Sequence, residues 1–271
     1  MNLVRRKIIF KPDKKIELPY DYNHDVMKAI YYYISVVDEK QERFLHNEGY
    51  KVEDKHRFKL FNFALRFGNA DFKKDFIEVN ENSNIILILS GVDKVVNSIL
   101  RGLLHIKQIR INDNYIPLYD IKKDGYKPFN KVMLYETLSP VVTTTMNDNG
   151  YTVSLKPYVD KYYINLAENL MKKYKLVYNE DFKGPLFFDI NDVLNMKEKS
   201  HRIKGIYKLG YLYDMWVETT IKMQRIIYYL GLGENNSTGA GCMDILMVGD
   251  SQWTEPICLW LITVYLLLSI I

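Results

Sequence analysis

Three side chains in the first quarter of the chain have residue types and spacing suited to acid–base work on a phosphodiester: Tyr31, His46 and Lys59. A histidine titrates near neutrality and can accept or release a proton there. Tyr31 lies fifteen residues before His46 on the preceding predicted helix, so the chain can turn back and bring the two rings together. Lys59 begins the following predicted strand, where an ammonium group near the histidine would neutralise charge on a pentacoordinate phosphate.

Together, these residue types indicate phosphodiester cleavage without a metal ion, with a nucleophile supplied by the substrate. RNA carries such a nucleophile in its 2′-hydroxyl. The sequence has no HExxH motif, no carboxylate cluster of metal-binding type and no Gly-x-Ser-x-Gly motif, which disfavours a two-metal nuclease. Each residue also has an ordinary interpretation, because the chain has 22 tyrosines that can serve core packing and an isolated lysine would simply be solvated. The other four histidines, His24, His56, His105 and His201, are interpreted as surface or core-edge residues without a catalytic role.

A glycine-rich segment near the end of the chain is a second feature with chemical meaning. It reads Gly-Leu-Gly-Glu-Asn-Asn-Ser-Thr-Gly-Ala-Gly over 231–241, after a predicted helix and before a short apolar run. Glycine permits positive φ and close approach, and amide groups in such a loop suit phosphate oxygens. The segment lacks the strand-to-helix context of a dinucleotide fingerprint and the Gly-Lys-Ser/Thr ending of a P-loop. We therefore expect RNA-backbone contacts from Gly231, Gly233, Asn236, Ser237, Gly239 and Gly241.

A basic stretch with an interleaved aromatic residue occupies 197–208. Alternation would place Arg202 and Lys204 on one face of a strand, with Lys208 as a further candidate, where they could follow a phosphate backbone. A solvated face with no partner is the alternative interpretation.

Composition bounds the function only loosely. The chain has 271 residues, 48% of them hydrophobic, which is enough for one large or two small domains. Its net charge of +4 does not by itself require a nucleic-acid partner. Two cysteines provide no disulfide framework or metal cluster, which is typical of a reducing compartment, and the N-terminus lacks the apolar region of a signal peptide. We therefore expect a cytoplasmic protein.

The last sixteen residues, 256–271, are almost wholly apolar. A membrane span needs about 20 residues, so this segment is short for a tail anchor. A segment packed on the core or a non-native extension are the other interpretations, and a membrane-tethered protein is kept only as the weakest functional alternative.

The elements that must position these side chains follow the order strand, helix, strand, strand, helix, strand in the first half of the chain. On the first helix we expect Val26, Ile30, Tyr33 and Val37 to share one face. The order is that of a split β-α-β, or ferredoxin-like, unit. Periodicity predicts strands near 2–10, 57–65, 74–79, 84–90 and 107–121, and helices over 23–36, 41–46 and from residue 93.

The second half has the same order, which predicts a duplicated α+β fold. Glycine and proline within 122–128 predict a linker. We expect a catalytic domain over 1–122, an RNA-binding domain with the glycine-rich loop over 129–248, and an apolar tail over 249–271 without an assigned role. Here the predicted strands lie near 131–145, 151–155, 185–194, 201–215 and 242–248, and the predicted helices over 159–174 and 219–230.

Over residues 1–248 the chain resembles the CRISPR-associated repeat-processing endoribonucleases of the repeat-associated (RAMP) superfamily. The glycine-rich segment 231–241 is similar to the C-terminal loop of that superfamily almost position for position. The segment Leu18-Pro-Tyr-Asp-Tyr-Asn23, followed by Ile30-Tyr31, is similar to the entry of the family's first helix. Further similar segments are Phe44-Leu-His46, Leu138-Ser-Pro140 and Asn169-Leu-Met-Lys-Lys-Tyr174.

The resemblance implies tandem ferredoxin-like (RRM-like) domains and a Tyr–His–Lys active site in the first of them. By position these residues match Tyr31, His46 and Lys59, with His46 as general base or acid, Tyr31 as its partner and Lys59 as the stabiliser of the transition state. Lys51 and Lys55 are alternatives to Lys59 as the lysine of this site, and Tyr32 is the alternative to Tyr31 as its tyrosine.

The implied reaction cuts CRISPR precursor RNA within the repeat, needs no metal or other cofactor, and leaves 2′,3′-cyclic phosphate and 5′-hydroxyl ends. The implied partner is CRISPR repeat RNA, not DNA. Subunits of a CRISPR effector complex and a second copy of the chain are left open as further partners, and a membrane is disfavoured. The alternative function is a non-catalytic RNA-binding subunit of an effector complex.

Overall fold

The computed structural model describes residues 1–52, 56–203 and 206–249. From the N-terminus, its elements are β1 (Leu3–Phe10), β2 (Ile16–Pro19), α1 (Asn23–Val37), α2 (Glu39–Arg43), a π-helical turn (Phe44–Glu48), β3 (Tyr50–Val52), β4 (His56–Phe58), β5 (Phe61–Phe67), β6 (Ala70–Phe72), β7 (Phe76–Val79), β8 (Ile85–Val92), α3 (Asp93–Ile106), β9 (Gln108–Ile111) and β10 (Asn114–Lys123). The remaining elements are β11 (Val132–Thr137), β12 (Thr144–Met146), β13 (Thr152–Ser154), α4 (Asp160–Tyr178), β14 (Leu186–Ile190), a 3-10 turn (Val193–Asn195), β15 (Lys197–Ile203), β16 (Ile206–Leu212), β17 (Asp214–Thr219), α5 (Ile221–Leu230), a second 3-10 turn (Asn236–Thr238) and β18 (Met243–Val248).

The chain divides into two compact units. The first contains Met1–Gly125 together with His201–Tyr207 and Asn236–Gly239. The second contains Tyr126–Ser200, Lys208–Asn235 and the described residues 240–249.

The first unit has an antiparallel sheet in the order β5-β8-β1-β10-β9. Its helices α1 and α3 pack against each other, and α3 contacts β8 and β1. Along the chain the core elements run β1, α1, β5, β8, α3, β10, so the second, third, first and fourth core strands lie side by side. This arrangement is ferredoxin-like.

The second unit repeats the arrangement with different strands. Its antiparallel sheet has the order β14-β17-β11-β18, and α4 packs against α5, which contacts β17 and β18. The core elements run β11, α4, β14, β17, α5, β18. The expected tandem ferredoxin-like α+β fold is therefore confirmed.

Apolar periodicity explains how α1 is placed on its sheet. Val26, Ile30, Tyr33 and Ile34 are buried along one face, at the three- and four-residue spacing that a core-facing stripe requires. Val37, which we expected on this face, is exposed because it is the last helical residue. Its place in the stripe is taken by Ile34.

The predicted strand over 57–65 is wrong as a single element. Leu60 adopts φ 54°, a left-handed conformation that a regular strand cannot contain. The chain therefore breaks into β4 and β5, and the Leu60 carbonyl accepts a hydrogen bond from the amide of Val92 at 3.0 Å. Lys59 lies at this break rather than inside a strand.

No helix within the described residues is long and apolar enough to cross a membrane. Of the tail expected over 249–271, only residue 249 is described, and residues 250–271 lie outside the described part of the chain.

Candidate active site

His46 is carried by an irregular helical segment that follows α1. Asp38 caps α2 by accepting a hydrogen bond from the amide of Gln41 at 2.9 Å. α2 continues into the π-helical turn, which ends at Gly49, where the amide donates to the carbonyl of Phe44 at 2.7 Å. Wide turns of this kind are frequent at functional sites. Here the turn leaves the His46 side chain exposed.

Tyr31 is the tyrosine that meets His46. The two ring centroids are 5.7 Å apart at an interplanar angle of 82°, an edge-to-face arrangement that aromatic rings favour. Tyr31 also contacts Phe61, the first residue of β5, at 6.3 Å. Tyr32 is exposed on a different face of α1. Of the two tyrosines that the sequence offers as the partner of His46, it is therefore Tyr31 that contacts the histidine ring.

The His46 imidazole has a hydrogen-bond partner in the next residue. Its Nδ1 lies 3.0 Å from Oδ1 of Asn47. Because an amide oxygen can only accept, this contact favours the neutral tautomer with hydrogen on Nδ1. In that tautomer Nε2 carries a lone pair and can take a proton.

The Tyr31 phenol remains protonated at neutral pH. Burial, with a smaller contribution from the negative charge of Glu42, raises the pKa of Tyr31 to about 12. A neutral phenol is a hydrogen-bond donor and an acid, not a base.

Lys59 lies against the backbone of the His46 turn. Its Nζ donates hydrogen bonds to the carbonyl oxygens of Leu45 and His46, the latter at 3.0 Å. Partial burial lowers the pKa of Lys59, and the positive charge of Arg57 lowers it further. An ammonium group has three hydrogens, so one donor remains beyond the two carbonyl contacts. Of the competing lysines, Lys51 is exposed on β3 and Lys55 lies outside the described residues.

Two further residues shape this site, and sequence reasoning missed both of them, as it missed Asn47. Gly49 has φ 69°, and a Cβ there would lie 2.7 Å from the Phe58 carbonyl oxygen and 3.3 Å from Nζ of Lys59. Arg57 on β4 donates from Nη1 to the carbonyl of Asn47 at 2.8 Å. The glycine in Asn-Glu-Gly, directly after the histidine, was the available sequence signal for the end of the turn.

The glycine-rich segment begins inside the second unit, where it is held by a buried lysine. Nζ of Lys173, on α4, donates to the carbonyl oxygens of Gly231 at 2.8 Å and Gly233 at 3.2 Å. The Glu234 carboxylate accepts from the amide and the hydroxyl of Thr144 at 2.9 and 2.8 Å. These contacts fix the first half of the loop.

The middle of the segment belongs to the first unit, where the turn Asn236–Thr238 contacts α1 and β5. Gly239 has φ 87°, and a Cβ there would lie 2.7 Å from the ring of Phe63 and 2.9 Å from the side chain of Asn23. Thr238 Oγ1 lies 3.0 Å from Nε2 of His201. Close packing, together with positive φ, explains the requirement for glycine at 239.

The glycine amides of this segment are largely used inside the protein. The amides of Gly231, Gly239 and Gly241 donate to the carbonyls of Ile227, Asn236 and Pro140 respectively, and all four glycines are buried. The half-buried part of the segment is the polar stretch 234–238, which includes Asn236 and Ser237. The glycines shape the loop, and side chains of this stretch are the accessible groups.

Arg202 is exposed and paired with groups of the first unit. Its Nη1 lies 3.6 Å from a carboxylate oxygen of Asp21, and its guanidinium carbon lies 5.0 Å from the ring centre of Tyr207. Exposed ion pairs contribute little stability, so Arg202 can exchange this carboxylate for a phosphate. Lys204, the other cation expected here, lies outside the described residues.

Within the described part of the chain, no group of three or more His, Cys, Asp or Glu side chains is arranged to hold a metal ion.

The sequence matches known proteins along most of its length. Residues 122–245 match the family described as CRISPR associated protein Cas6, C-terminal. The chain is 28% identical to "CRISPR-associated endoribonuclease Cas6 1" of Methanocaldococcus jannaschii, over 88% of this chain and 91% of that protein. It is 25% identical to "CRISPR-associated endoribonuclease Cas6" of Pyrococcus furiosus, over 90% of each.

Solved structures agree with these matches. A structure titled "CRISPR associated protein Cas6" aligns with a TM-score of 0.75 and 26% identity, over 91% of this chain and all of that chain. A second structure, "An RAMP protein binding different RNA substrates", aligns with a TM-score of 0.77 and 20% identity over 90% of this chain and all of that one, and shows the fold. Along most of its length the chain is thus similar to CRISPR-associated Cas6 endoribonucleases, and these relatives support an endoribonuclease on a ferredoxin-like scaffold.

Proposed function

We propose that this protein is a metal-independent endoribonuclease that cuts CRISPR precursor RNA within each repeat. The observation that carries the proposal is the edge-to-face contact of Tyr31 with His46, at 5.7 Å, beside the ammonium group of Lys59. A proton acceptor, a proton donor and a fixed positive charge meet there. These three groups suffice for phosphodiester cleavage when the substrate supplies its own 2′-hydroxyl.

In the proposed reaction, Nε2 of His46 accepts the proton of the 2′-hydroxyl as that oxygen forms a bond to phosphorus. The bond from phosphorus to the 5′-oxygen of the next nucleotide breaks, and this oxygen takes a proton from the Tyr31 phenol. The remaining hydrogen of the Lys59 ammonium donates to a phosphate oxygen as charge builds up on it. The products are a 2′,3′-cyclic phosphate and a 5′-hydroxyl end.

The assignment of base and acid follows from the two environments. The contact with Asn47 leaves Nε2 of His46 unprotonated in the neutral ring. The Tyr31 phenol, whose pKa burial raises to about 12, keeps its proton until a strongly basic leaving oxygen appears. The substrate RNA is also proposed to contact Arg202, Lys204 and the polar part of the glycine-rich loop, because that loop packs on α1, which carries Tyr31.

Cleavage of repeat RNA by purified protein in EDTA tests this proposal. Wild-type protein is expected to cut the repeat RNA of the neighbouring array with EDTA present. His46→Ala should reduce the single-turnover rate by roughly 10²- to 10⁴-fold, because it removes the general base. Product ends are identified by treatment with a phosphatase and a cyclic-phosphate-opening acid step.

The control substrate carries a 2′-deoxy group at the scissile nucleotide, and it should bind without being cut. Lys15→Ala is the control variant, since Lys15 is an exposed residue paired with Glu78 at 2.7 Å and has no part in the proposed step. Cutting of the deoxy substrate, or an undiminished rate in His46→Ala, would contradict the mechanism. Tight binding without any cutting would instead favour a non-catalytic RNA-binding subunit of an effector complex.

A further inference from the structure

A cavity of about 830 Å³ lies in the first unit between α1, the C-terminal end of α3 and the β9–β10 hairpin. Its volume is in the range of sites that enclose small organic groups. The cavity is distinct from the Tyr31–His46 contact, although α1 contributes to both. The residues that line the cavity include Asp25, Tyr32, Gln108, Arg110, Asn112 and Tyr115.

Two tyrosine rings are exposed at this cavity. Tyr32 is 56% exposed and Tyr115 is 59% exposed. The guanidinium carbon of Arg110 lies 5.4 Å from the centre of the Tyr115 ring, a cation–π arrangement. Exposed aromatic faces beside an arginine are the usual platform on which unpaired bases stack.

The charged groups of the cavity compensate one another. Asp25 accepts hydrogen bonds from Nζ of Lys28 at 2.9 Å and from the amide of Asn112 at 2.8 Å. Arg110 donates to the Asn112 carbonyl at 2.9 Å and lies 3.4 Å from a carboxylate oxygen of Asp113. The lining has two cations, Lys28 and Arg110, and two anions, Asp25 and Asp113, so its net charge does not favour a phosphate. The cavity suits a neutral, flat group with polar edges.

Hydrogen bonds to the backbone of the hairpin hold the walls of the cavity together. The hydroxyl of the buried Tyr33 donates to the carbonyl of Gln108 at 2.7 Å, which ties α1 to β9. The side-chain amides of Gln108 and Asn112 each offer a donor and an acceptor, as the edge of a nucleobase requires. The site is therefore built on a helix and a hairpin that are hydrogen-bonded to each other.

We propose that this cavity binds one unpaired nucleobase of the RNA substrate, stacked on Tyr32 and Tyr115 and contacted at its edge by the neighbouring amides. The inference rests on the proposed function and adds a base-binding subsite to it. Tyr31 and Tyr32 are consecutive on α1, so their side chains point about 100° apart. The subsite thus lies on the neighbouring face of α1 from the Tyr31–His46 contact.

Fluorescence of labelled repeat RNA tests this subsite. The RNA carries a 2′-deoxy scissile nucleotide and 2-aminopurine at one unpaired position at a time, and stacking on tyrosine quenches the label. One position should be quenched by wild-type protein and by Tyr32→Phe, which keeps the ring. In Tyr32→Ala and in Tyr115→Ala the quenching should disappear and affinity should fall about tenfold, the loss expected for one stacked base.

Tyr119→Ala is the matched control. Tyr119 is on the same strand as Tyr115, is 63% exposed and has Nζ of Lys11 3.6 Å from its ring centre, but it does not line the cavity. If wild-type protein cuts unmodified repeat RNA while the alanine variants keep the quenching and bind within twofold of Tyr119→Ala, the subsite is wrong and the proposed function survives. If wild-type protein neither binds nor cuts repeat RNA, both are wrong.

Discussion

His46 contacts groups from three separate segments of the chain, two through its ring and one through its backbone carbonyl. Tyr31 comes from α1, Asn47 from the π-helical turn and Lys59 from the break between β4 and β5. Each contact sets one property: the position of the ring, its tautomer and the local positive charge. The chemistry of the site is therefore sensitive to the protonation of Lys59 as well as to that of His46.

The cleavage rate is expected to fall at alkaline pH because Lys59 loses its proton. Burial and the charge of Arg57 lower the pKa of Lys59, so the charged, active form is lost below the ordinary lysine value of about 10.4. Tyr31, with a pKa near 12, stays protonated over the same range. The alkaline limb of a single-turnover pH profile should thus start below pH 10.4.

The variant Lys59→Arg tests whether the alkaline limb belongs to Lys59 or to Tyr31. An arginine keeps its charge throughout this pH range. The alkaline limb of Lys59→Arg should move to higher pH, whereas Lys59→Met should have a lower rate and no lysine limb. If the alkaline limb is unchanged in both variants, it results from the titration of a group other than Lys59.

Residue types predict the members of the candidate site more readily than the contacts that support them. Tyr31, His46 and Lys59 were nominated from their chemistry and from family resemblance, and the structure brings all three together. Asn47, Gly49 and Arg57 were missed because their roles depend on a π-helical turn and a β-hairpin. Neither has a periodicity that a sequence shows.

At the level of elements, two local deviations from regular structure position the candidate site residues. The π-helical turn carries His46, and the break at Leu60 lies next to Lys59. The order of helices and strands was predictable, since apolar periodicity determines which faces are buried. The break at Leu60 was not, because a left-handed leucine is stabilised by the hydrogen bond between its carbonyl and Val92, a contact distant in sequence. That break directs Lys59 towards the His46 turn.

Helix α4 supports the glycine-rich loop through Lys173, and this support should make stability depend on pH. Complete burial lowers the pKa of Lys173 to about 7, against a smaller opposing effect of Glu234. The unfolded chain, with an ordinary lysine pKa, binds a proton that the folded chain lacks between about pH 7 and pH 10. The contribution of Lys173 to the free energy of unfolding therefore rises with pH over that interval.

The difference in unfolding free energy between wild type and Lys173→Met should rise by about 1.4 kcal/mol per pH unit from pH 7 to 9. Urea unfolding at several pH values measures it, and Lys172→Met, at the neighbouring half-buried position of α4, is the matched control. A difference that stays flat across this interval would show that Lys173 does not titrate there.

For the molecule as a whole, a net charge of +4 is small for an RNA-binding protein. Binding must then rely on a few placed cations rather than on a general positive field. Arg202, beside the exposed ring of Tyr207, is proposed as one of these cations.

Arg202→Ala should weaken binding of the uncleavable repeat RNA and reduce the slope of log affinity against log salt by about 0.7, the contribution of one phosphate on a single strand. Titrations between 50 and 300 mM KCl are sufficient, as roughly a sixfold range in salt resolves such a slope. Lys15→Ala is the control, since Lys15 is an exposed cation paired with Glu78 at 2.7 Å. Equal slopes in wild type and Arg202→Ala would remove Arg202 from the interface.

The three consecutive tyrosines of α1 face three different surroundings. Tyr31 meets His46, Tyr32 borders the cavity, and Tyr33 is buried with its hydroxyl bonded to Gln108. Inserting or deleting one residue earlier in this helix would rotate all three by about 100° and exchange their surroundings at once. During evolution, point substitutions can therefore accumulate along α1, whereas changes in its length upstream of Tyr31 should be eliminated by selection.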